Sequence, residues 1–562
     1  MKGAAMIAEA LKREGVDVVF CFPQNPLIDA IADAGIRPIV CRQERVGVNM
    51  ADGYSRTSMA LGSPPPDPRG APGALGSDRL GVFVMQYGPG AENAYPGVAQ
   101  AFANGVPMLL LPGASDLRRL DTLPNYWASR NFAGVTKWSA TVPTADRIGH
   151  LMRRAFYEMR TGRPGPVLLE VPHEIMAESL DEPFDYRPAK PLKTLGDPDD
   201  VREVAAVLLR AEAPLIHAGQ GVLFSRATDE LVELAQLLQM PVMTTLPGKS
   251  SFPEDHPLAL GSGGSTTTGA VAHFMRKADV VFGIGSSLTR TSFGITIPPG
   301  KVIIHATNNE WDVNRDYPAD YGILGDAKLV LRQLIDEVRR QSSHPASERD
   351  GVADEVKTVK SAWLQEWMPK LTSDDVPLSP YRVIWDLMHT VDRRNTIITH
   401  DSGGPRNQIV PFWESLVPGS YIGWGKSTQL GYSLGAIMGA KLAAPDKLCI
   451  NLMGDAAIGM VGMDIETAVR AQIPILTVVL NNGTMAAETR STAIAAERYD
   501  ALTQTGDYSA VARALGAWCE RVTTPDEIVP AIKRAVDATR DGRPALIELI
   551  TTQETAVSAP IR

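Results

Sequence analysis

Residues 447–486 constrain this chain more than any other stretch, because they read as a complete strand–helix–strand unit with a polar group at the end of each strand. Two runs, Leu448-Cys449-Ile450-Asn451-Leu452-Met453 and Pro474-Ile475-Leu476-Thr477-Val478-Val479-Leu480, are short, β-rich and almost continuously apolar. Such runs suit parallel strands buried on both faces. Helical spacing over 463–472 supplies the crossover. Parallel neighbours joined by a right-handed crossover finish at one edge of the sheet, so Asp455 and Asn482 are expected to lie close together. That edge is where open α/β sheets bind ligands. A carboxylate, an amide oxygen and a loop carbonyl are hard donors of the kind Mg²⁺ or Ca²⁺ accepts, above all when a diphosphate completes the shell. Gly454 and Gly483 let backbone approach a phosphate closely.

At 562 residues the chain is too long for one core, and about three domains of ordinary size are expected. The composition, 44% apolar with abundant Gly and Pro, is that of a large α/β enzyme. A net charge of −9 leaves no basic footprint for nucleic acid. Cys21, Cys41, Cys449 and Cys519 are widely separated and read as reduced thiols, without a disulfide framework. The N-terminus opens into a helical pattern without a signal-peptide core, and no run approaches the ~20 apolar residues of a membrane span. A cytoplasmic enzyme without membrane partners is the expectation.

Taken in order, 1–185 alternates strands (Val18-Val19-Phe20-Cys21, Pro38-Ile39-Val40-Cys41, Val82-Phe83-Val84-Met85, Met108-Leu109-Leu110-Leu111, Val167-Leu168-Leu169-Glu170-Val171) with helices. This predicts a doubly wound parallel sheet. A Pro/Gly-rich loop over 63–79 interrupts it. A polar linker over 186–198 leads to a second α/β unit over 198–345, and a charged linker over 340–355 leads to a third over 370–562. The fold class expected is α/β, three doubly wound parallel-sheet domains.

Gly454-Asp455-Ala456-Ala457, followed at this separation by Asn481-Asn482-Gly483-Thr484-Met485, resembles the metal–diphosphate motif of the thiamine diphosphate (ThDP) enzymes. The order of the three units resembles their acetohydroxyacid (acetolactate) synthase / pyruvate oxidase branch, with an N-terminal pyrimidine-binding, a central and a C-terminal diphosphate-binding domain. The resemblance implies ThDP and Mg²⁺ as cofactors, with Asp455, Asn482 and the Thr484 carbonyl as metal ligands. It further implies a glutamate that hydrogen-bonds the coenzyme's N1′ and so makes its 4′-amino group an internal base. Glu44 ends a strand and opens a helix that reaches Ala51-Asp52-Gly53-Tyr54-Ser55-Arg56, similar to the family's glutamate helix. An isolated Glu there would otherwise read as a helix-dipole residue.

Leu430 occupies the family's wedge position between the coenzyme rings, and the Thr428 carbonyl would accept from the 4′-amino group. Gly88-Pro89-Gly90-Ala91-Glu92-Asn93 matches the turn beside the thiazolium. Gln43, Gln86 and Asn25 would face the reacting carbon, against the plainer reading that these amides brace loop backbone. None of the nine histidines falls in these loops by sequence. Amides cannot replace histidines as proton shuttles, so carboligation is favoured over quick protonation and aldehyde release. One departure stands out: the acetohydroxyacid synthases carry Gln-Gly-Met and then a substrate-selecting tryptophan after the metal asparagine, whereas 484–491 here has no tryptophan.

The expected function is therefore that of an acetolactate synthase-like carboligase, acting through the C2 carbanion on a 2-oxo acid or similar small carbonyl donor. A decarboxylase or lyase on a 2-oxo acid, 2-hydroxyacyl-CoA or hydroxy ketone is the near alternative. From another class come a flavin or nicotinamide oxidoreductase and a silent regulatory homologue. Gly219-Gln220-Gly221 and Gly283-Ile284-Gly285-Ser286 keep glycine turns in the middle unit, but a lone GxG is weak. An empty middle domain is favoured over one holding FAD. The resemblance implies at least a homodimer, commonly paired into a homotetramer.

Overall fold

The computed structural model describes residues 1–23, 25–62, 78–119, 121–343, 349–489 and 491–558. The expected loop over 63–79 lies almost wholly outside the described residues. Among the described residues, eighteen strands form three six-stranded sheets, every pair parallel. The first contains β1 (Val18–Cys21), β2 (Arg37–Val40), β3 (Gly81–Met85), β4 (Met108–Ala114), β5 (Trp138–Thr141) and β6 (Pro166–Pro172). The second contains β7 (Leu215–Ala218), β8 (Val242–Thr245), β9 (Ala259–Gly263), β10 (Val280–Ile284), β11 (Val302–Thr307) and β12 (Tyr321–Leu324). The third contains β13 (Thr396–His400), β14 (Tyr421–Ile422), β15 (Leu448–Gly454), β16 (Leu476–Asn481), β17 (Trp518–Val522) and β18 (Ala545–Ile550).

The first sheet runs β2-β1-β3-β4-β6-β5 and the third β14-β13-β15-β16-β18-β17, the same permutation. Each therefore has its topological switch point between its first and third strands, where a crevice opens at the carboxyl edge. The middle sheet runs β9-β8-β7-β10-β11-β12, with its switch point between β7 and β10. The central strands β3, β10 and β16 are buried along their whole length, as two-faced helical cover requires.

The first and third units share one hydrophobic core, in which Val46, Met50 and Tyr54 meet Tyr432, Leu434 and Ile437. The helix Glu44–Leu61 lies against the helix Tyr432–Ala443 so closely that a Cβ on Gly53 would overlap the Ala436 carbonyl oxygen, and one on Gly439 the Met50 carbonyl oxygen. One helix begins at Glu44 and the other follows the turn at Gly431, so this contact sets where those two turns lie relative to each other. Gly439→Ala is expected to lower stability by about 1–3 kcal/mol or more, because backbone cannot yield as a flexible side chain does. An unchanged Tm would contradict the close approach.

Two sequence expectations are corrected. The crossover after β15 starts at once, with a helix Asp455–Val461, a short 3₁₀ turn Gly462–Asp464 and a second helix Ile465–Arg470, so helix begins well before 463 and ends two residues before 472. The linker expected over 340–355 is shorter, because one helix runs through Arg340 to Gln341 and another starts at Val352.

Candidate active site

Three loops follow the strands at the carboxyl edge of the first sheet. After β2 comes Glu44, the first residue of its helix and 4% exposed. After β3 comes the turn at Gly88, whose φ of 60° suits glycine, and Pro89 then starts the helix Pro89–Asn104. The two meet: Asn93 Nδ2 donates to Glu44 Oε2 at 3.3 Å, and a Cβ on Gly90 would stand 3.2 Å from Glu44 Oε1. Burial pushes the Glu44 pKa up, opposed by its own backbone N–H and by Asn93. A carboxyl group biased toward its neutral form is what donation to a ring nitrogen requires.

Asn25, after β1, is buried and braces the loops. Its Nδ2 donates to the carbonyls of Met85 (3.0 Å) and Leu111 (3.3 Å), and its Oδ1 accepts from the Leu27 N–H at 3.1 Å. That matches the plainer role for this amide and leaves only the carbonyl side available to a ligand. Gln43 is half-buried and donates to the Met460 carbonyl at 3.3 Å. Gln86 is half-buried at the end of β3, its Cβ beside Gly90.

One residue that sequence order hid joins this edge. His173, directly after β6, packs edge-on against Tyr87 with ring centroids 5.7 Å apart, and its buried Nε2 has no hydrogen-bond partner among the described residues. No histidine falls in these loops by sequence, yet the strand order brings this one against them. Parallel strands bring residues more than 80 positions apart to one edge.

At the third sheet, Gly454 caps the helix that Asp455 opens, and the loop after β16 folds back toward it. The Thr484 N–H reaches both Asp455 Oδ2 (3.2 Å) and Asn482 Oδ1 (3.1 Å). The Ala456 N–H donates to Asp455 Oδ1 at 2.8 Å, while Ala457 is buried beneath the turn. Burial pushes the Asp455 pKa up, against the pull of the N–H groups of Ala456, Gly483, Thr484 and Asn482. Met485 is tied by its N–H to the Leu502 carbonyl at 3.0 Å.

This loop is backed by a group the sequence did not flag. Glu548 on β18 is fully buried and accepts from Asn481 Nδ2 (2.7 Å) and the Ser509 N–H (3.0 Å). Asn481 Oδ1 in turn accepts from the Gly483 N–H at 3.1 Å. Beyond the loop, Ala487, Glu488 and Thr489 are exposed, and the helix Ala493–Tyr499 buries none of its residues.

The donor set fits a hard cation shared with a diphosphate. One carboxylate, one amide oxygen and one backbone carbonyl under-fill an octahedral shell and leave positions for phosphate oxygens and water. A Cβ built on Gly454 or Gly483 would meet nothing closer than 3.8 Å, so space beside both turns is open.

The two edges are joined within one chain. The Arg42 N–H donates to Asp464 Oδ1 at 2.8 Å, and the Arg42 guanidinium pairs with Glu466 at 2.9 Å. Glu44 thus sits on a turn fixed to the segment that follows Asp455. Leu430 is half-buried against the shared core, immediately before Gly431, and Thr428 is half-buried in the same loop. In the middle unit, Gly219 and Gly221 press on Gly285, and a cavity of about 520 Å³ lies against these turns, lined also by Ser286, Thr289, Asn308 and Lys426. Among the described residues no helix is long and apolar enough to cross a membrane.

Comparison with known proteins agrees along the whole chain. Residues 1–64 and 72–134 match the family model "Thiamine pyrophosphate enzyme, N-terminal TPP binding domain", 201–334 the central domain, and 401–549 the C-terminal TPP binding domain. A probable acetolactate synthase large subunit of Methanocaldococcus jannaschii is 30% identical, over 98% of this chain and 92% of its own. One from Methanococcus aeolicus is 27% identical over 99% and 93%. The acetolactate synthase isozyme 3 large subunit of Escherichia coli is 25% identical over 98% and 94%. With its three parallel sheets and end-to-end similarity to these proteins, the chain belongs to the thiamine pyrophosphate enzyme family.

Proposed function

We propose that the chain is a ThDP- and Mg²⁺-dependent carboligase of the acetolactate-forming kind, taking a 2-oxo acid or similar small carbonyl compound as donor and joining its acyl unit to an acceptor. The observation that carries this reading is the convergence of Asp455 and Asn482 on the Thr484 N–H at the carboxyl edge of the third sheet, between β15 and β16. The similarity to acetolactate synthase large subunits supports the choice of reaction.

When bound, the coenzyme supplies a carbon nucleophile and an electron sink for the donor. The chain's own residues do the rest. Asp455, Asn482 and the Thr484 carbonyl would hold Mg²⁺ and, with Gly454, Ala456, Ala457, Gly483 and Met485, the diphosphate. Glu44 would keep a proton at the pyrimidine N1′, backed by Asn93. Thr428 and Leu430 would fix the ring geometry, and Gly88, Pro89 and Gly90 would leave room beside the thiazolium. Gln43, Gln86 and Asn25 would orient the donor without moving protons. A homodimer at least is proposed, supported by the exposed apolar side chains of Tyr95 and Phe102 after the glycine turn and of Met460 and Met463 near Gln43. Sedimentation of the chain at rising concentration tests this.

The test of the reaction is product analysis with pyruvate and other 2-oxo acids. Coupled hydroxy-keto acid is expected. Free aldehyde as the main product would favour the decarboxylase reading, which His173 beside Tyr87 specifically supports. His173→Gln is expected to leave the ratio of coupled product to aldehyde unchanged. A fall in aldehyde would instead assign His173 proton transfer. FAD remains the less favoured occupant of the middle cavity, and the visible absorbance of the purified protein decides it.

A further inference from the structure

The loop that carries Thr428 and Leu430 spans 425–430 and joins two fixed points. At its start Trp424 is fully buried, donates from Nε1 to the His400 carbonyl at 2.8 Å and stacks on the His400 ring, centroids 5.2 Å apart and 11° from parallel. At its end Gly431 has a φ of 84° and caps the helix Tyr432–Ala443. Both points are tied to the last residue of β13 and to the residue after it, at the third sheet's switch point.

That next residue is Asp401, fully buried, its own N–H bonded to the Leu452 carbonyl of β15 at 2.7 Å. Its carboxylate accepts four hydrogen bonds. Oδ1 takes the N–H groups of Ser402 (2.8 Å) and Gly431 (2.9 Å), and Oδ2 takes the Ser433 N–H (3.0 Å) and Ser433 Oγ (2.7 Å). Isolated burial of a carboxylate is costly, and full satisfaction by donors offsets that cost. If helix capping alone were needed, a Ser or Asn at the cap position would do it locally. Instead Gly431, which has no side chain to cap with, turns the chain sharply while a carboxylate 30 positions upstream supplies the acceptor.

We propose that Asp401 is a positioning residue for the coenzyme's pyrimidine end: it clamps the Gly431 turn to the sheet and so sets the height of the Leu430 side chain and the direction of the Thr428 carbonyl. The proposal rests on the ThDP reading of this loop. The diphosphate end is held by a different loop, after β15 and β16, which Asp401 does not bond. The two ends of the coenzyme therefore respond differently to its loss.

The experiment titrates the full-length chain with ThDP and, separately, with inorganic pyrophosphate, both with Mg²⁺, by calorimetry. Asp401→Asn keeps the shape but presents an N–H group where an acceptor is needed, either to Gly431 or to Ser433. ThDP affinity is expected to fall roughly tenfold or more, the range for losing charge-assisted bonds, while pyrophosphate affinity stays at the wild-type value. Ser433→Ala removes one of the four bonds and should show a smaller fall of the same selective kind, which keeps the test open if the Asn variant does not fold. Unchanged ThDP affinity in both variants, or an equal loss for ThDP and pyrophosphate, would overturn the proposal. Failure of the wild-type chain to bind ThDP would remove the reading beneath it, and the proposal with it.

Discussion

Glu44→Gln is expected to reduce turnover by roughly 10²–10⁴-fold at saturating coenzyme, the scale of a lost acid–base contribution, while leaving the fold intact. The variant is isosteric, and the contact with Asn93 at 3.3 Å can be remade by an amide oxygen. What the amide cannot do is share a proton with a ring nitrogen across a change of charge. Burial already biases Glu44 toward the neutral acid, so the native side chain can act as donor above the usual glutamate range. Steady-state kinetics with near-wild-type kcat would remove Glu44 from the mechanism. A large loss with unchanged Tm would leave it there.

Asp455→Ala should have its effect on binding rather than on chemistry. The Asp455 carboxylate is the one charged donor in the proposed metal set, and two of its contacts also hold the loop, through the Ala456 and Thr484 N–H groups. Removing it is expected to weaken Mg²⁺-dependent ThDP binding on the order of 100-fold or more, since even groups that only support metal ligands are worth 10–100-fold. The Asn482→Ala variant should weaken it less, because a neutral amide contributes less than a carboxylate to a hard cation. Equal affinity of wild type and Asp455→Ala, with and without Mg²⁺, would mean that the loop holds no metal.

The part of this molecule that was legible in advance is the part governed by short-range rules. Buried parallel strands announce themselves as apolar runs, which is why β1, β3, β15 and β16 were readable. Parallel crossover geometry then requires the ends of β15 and β16 to be neighbours, as the shared Thr484 contact displays. Edge and glycine-rich strands were not readable: β5 is half-buried Trp-Ser-Ala-Thr, β9 is Ala-Leu-Gly-Ser-Gly, and β12 leaves Gly322 and Leu324 exposed. Their patterns are set by position in the sheet, and local propensity says little about that. The helix opening at Asp455 was missed because alanine and glycine carry no amphipathic stripe.

The supporting groups were hidden for another reason. Asp401, Glu548 and His173 reach their partners across 30, 67 and 86 positions respectively, to Gly431, Asn481 and Tyr87. No local pattern encodes such pairings. What a sequence shows of a site is the loop that touches the ligand. What holds that loop from behind emerges only when the strands are side by side.

The central claim is that the Glu44 edge and the Asp455 edge serve one coenzyme. Calorimetric titration of the metal-stripped chain with ThDP, with and without Mg²⁺, tests it most directly. Saturable binding that appears only with Mg²⁺ and is lost in Asp455→Ala is the expected result. No binding in either condition, or binding indifferent to both the metal and Asp455, would contradict it.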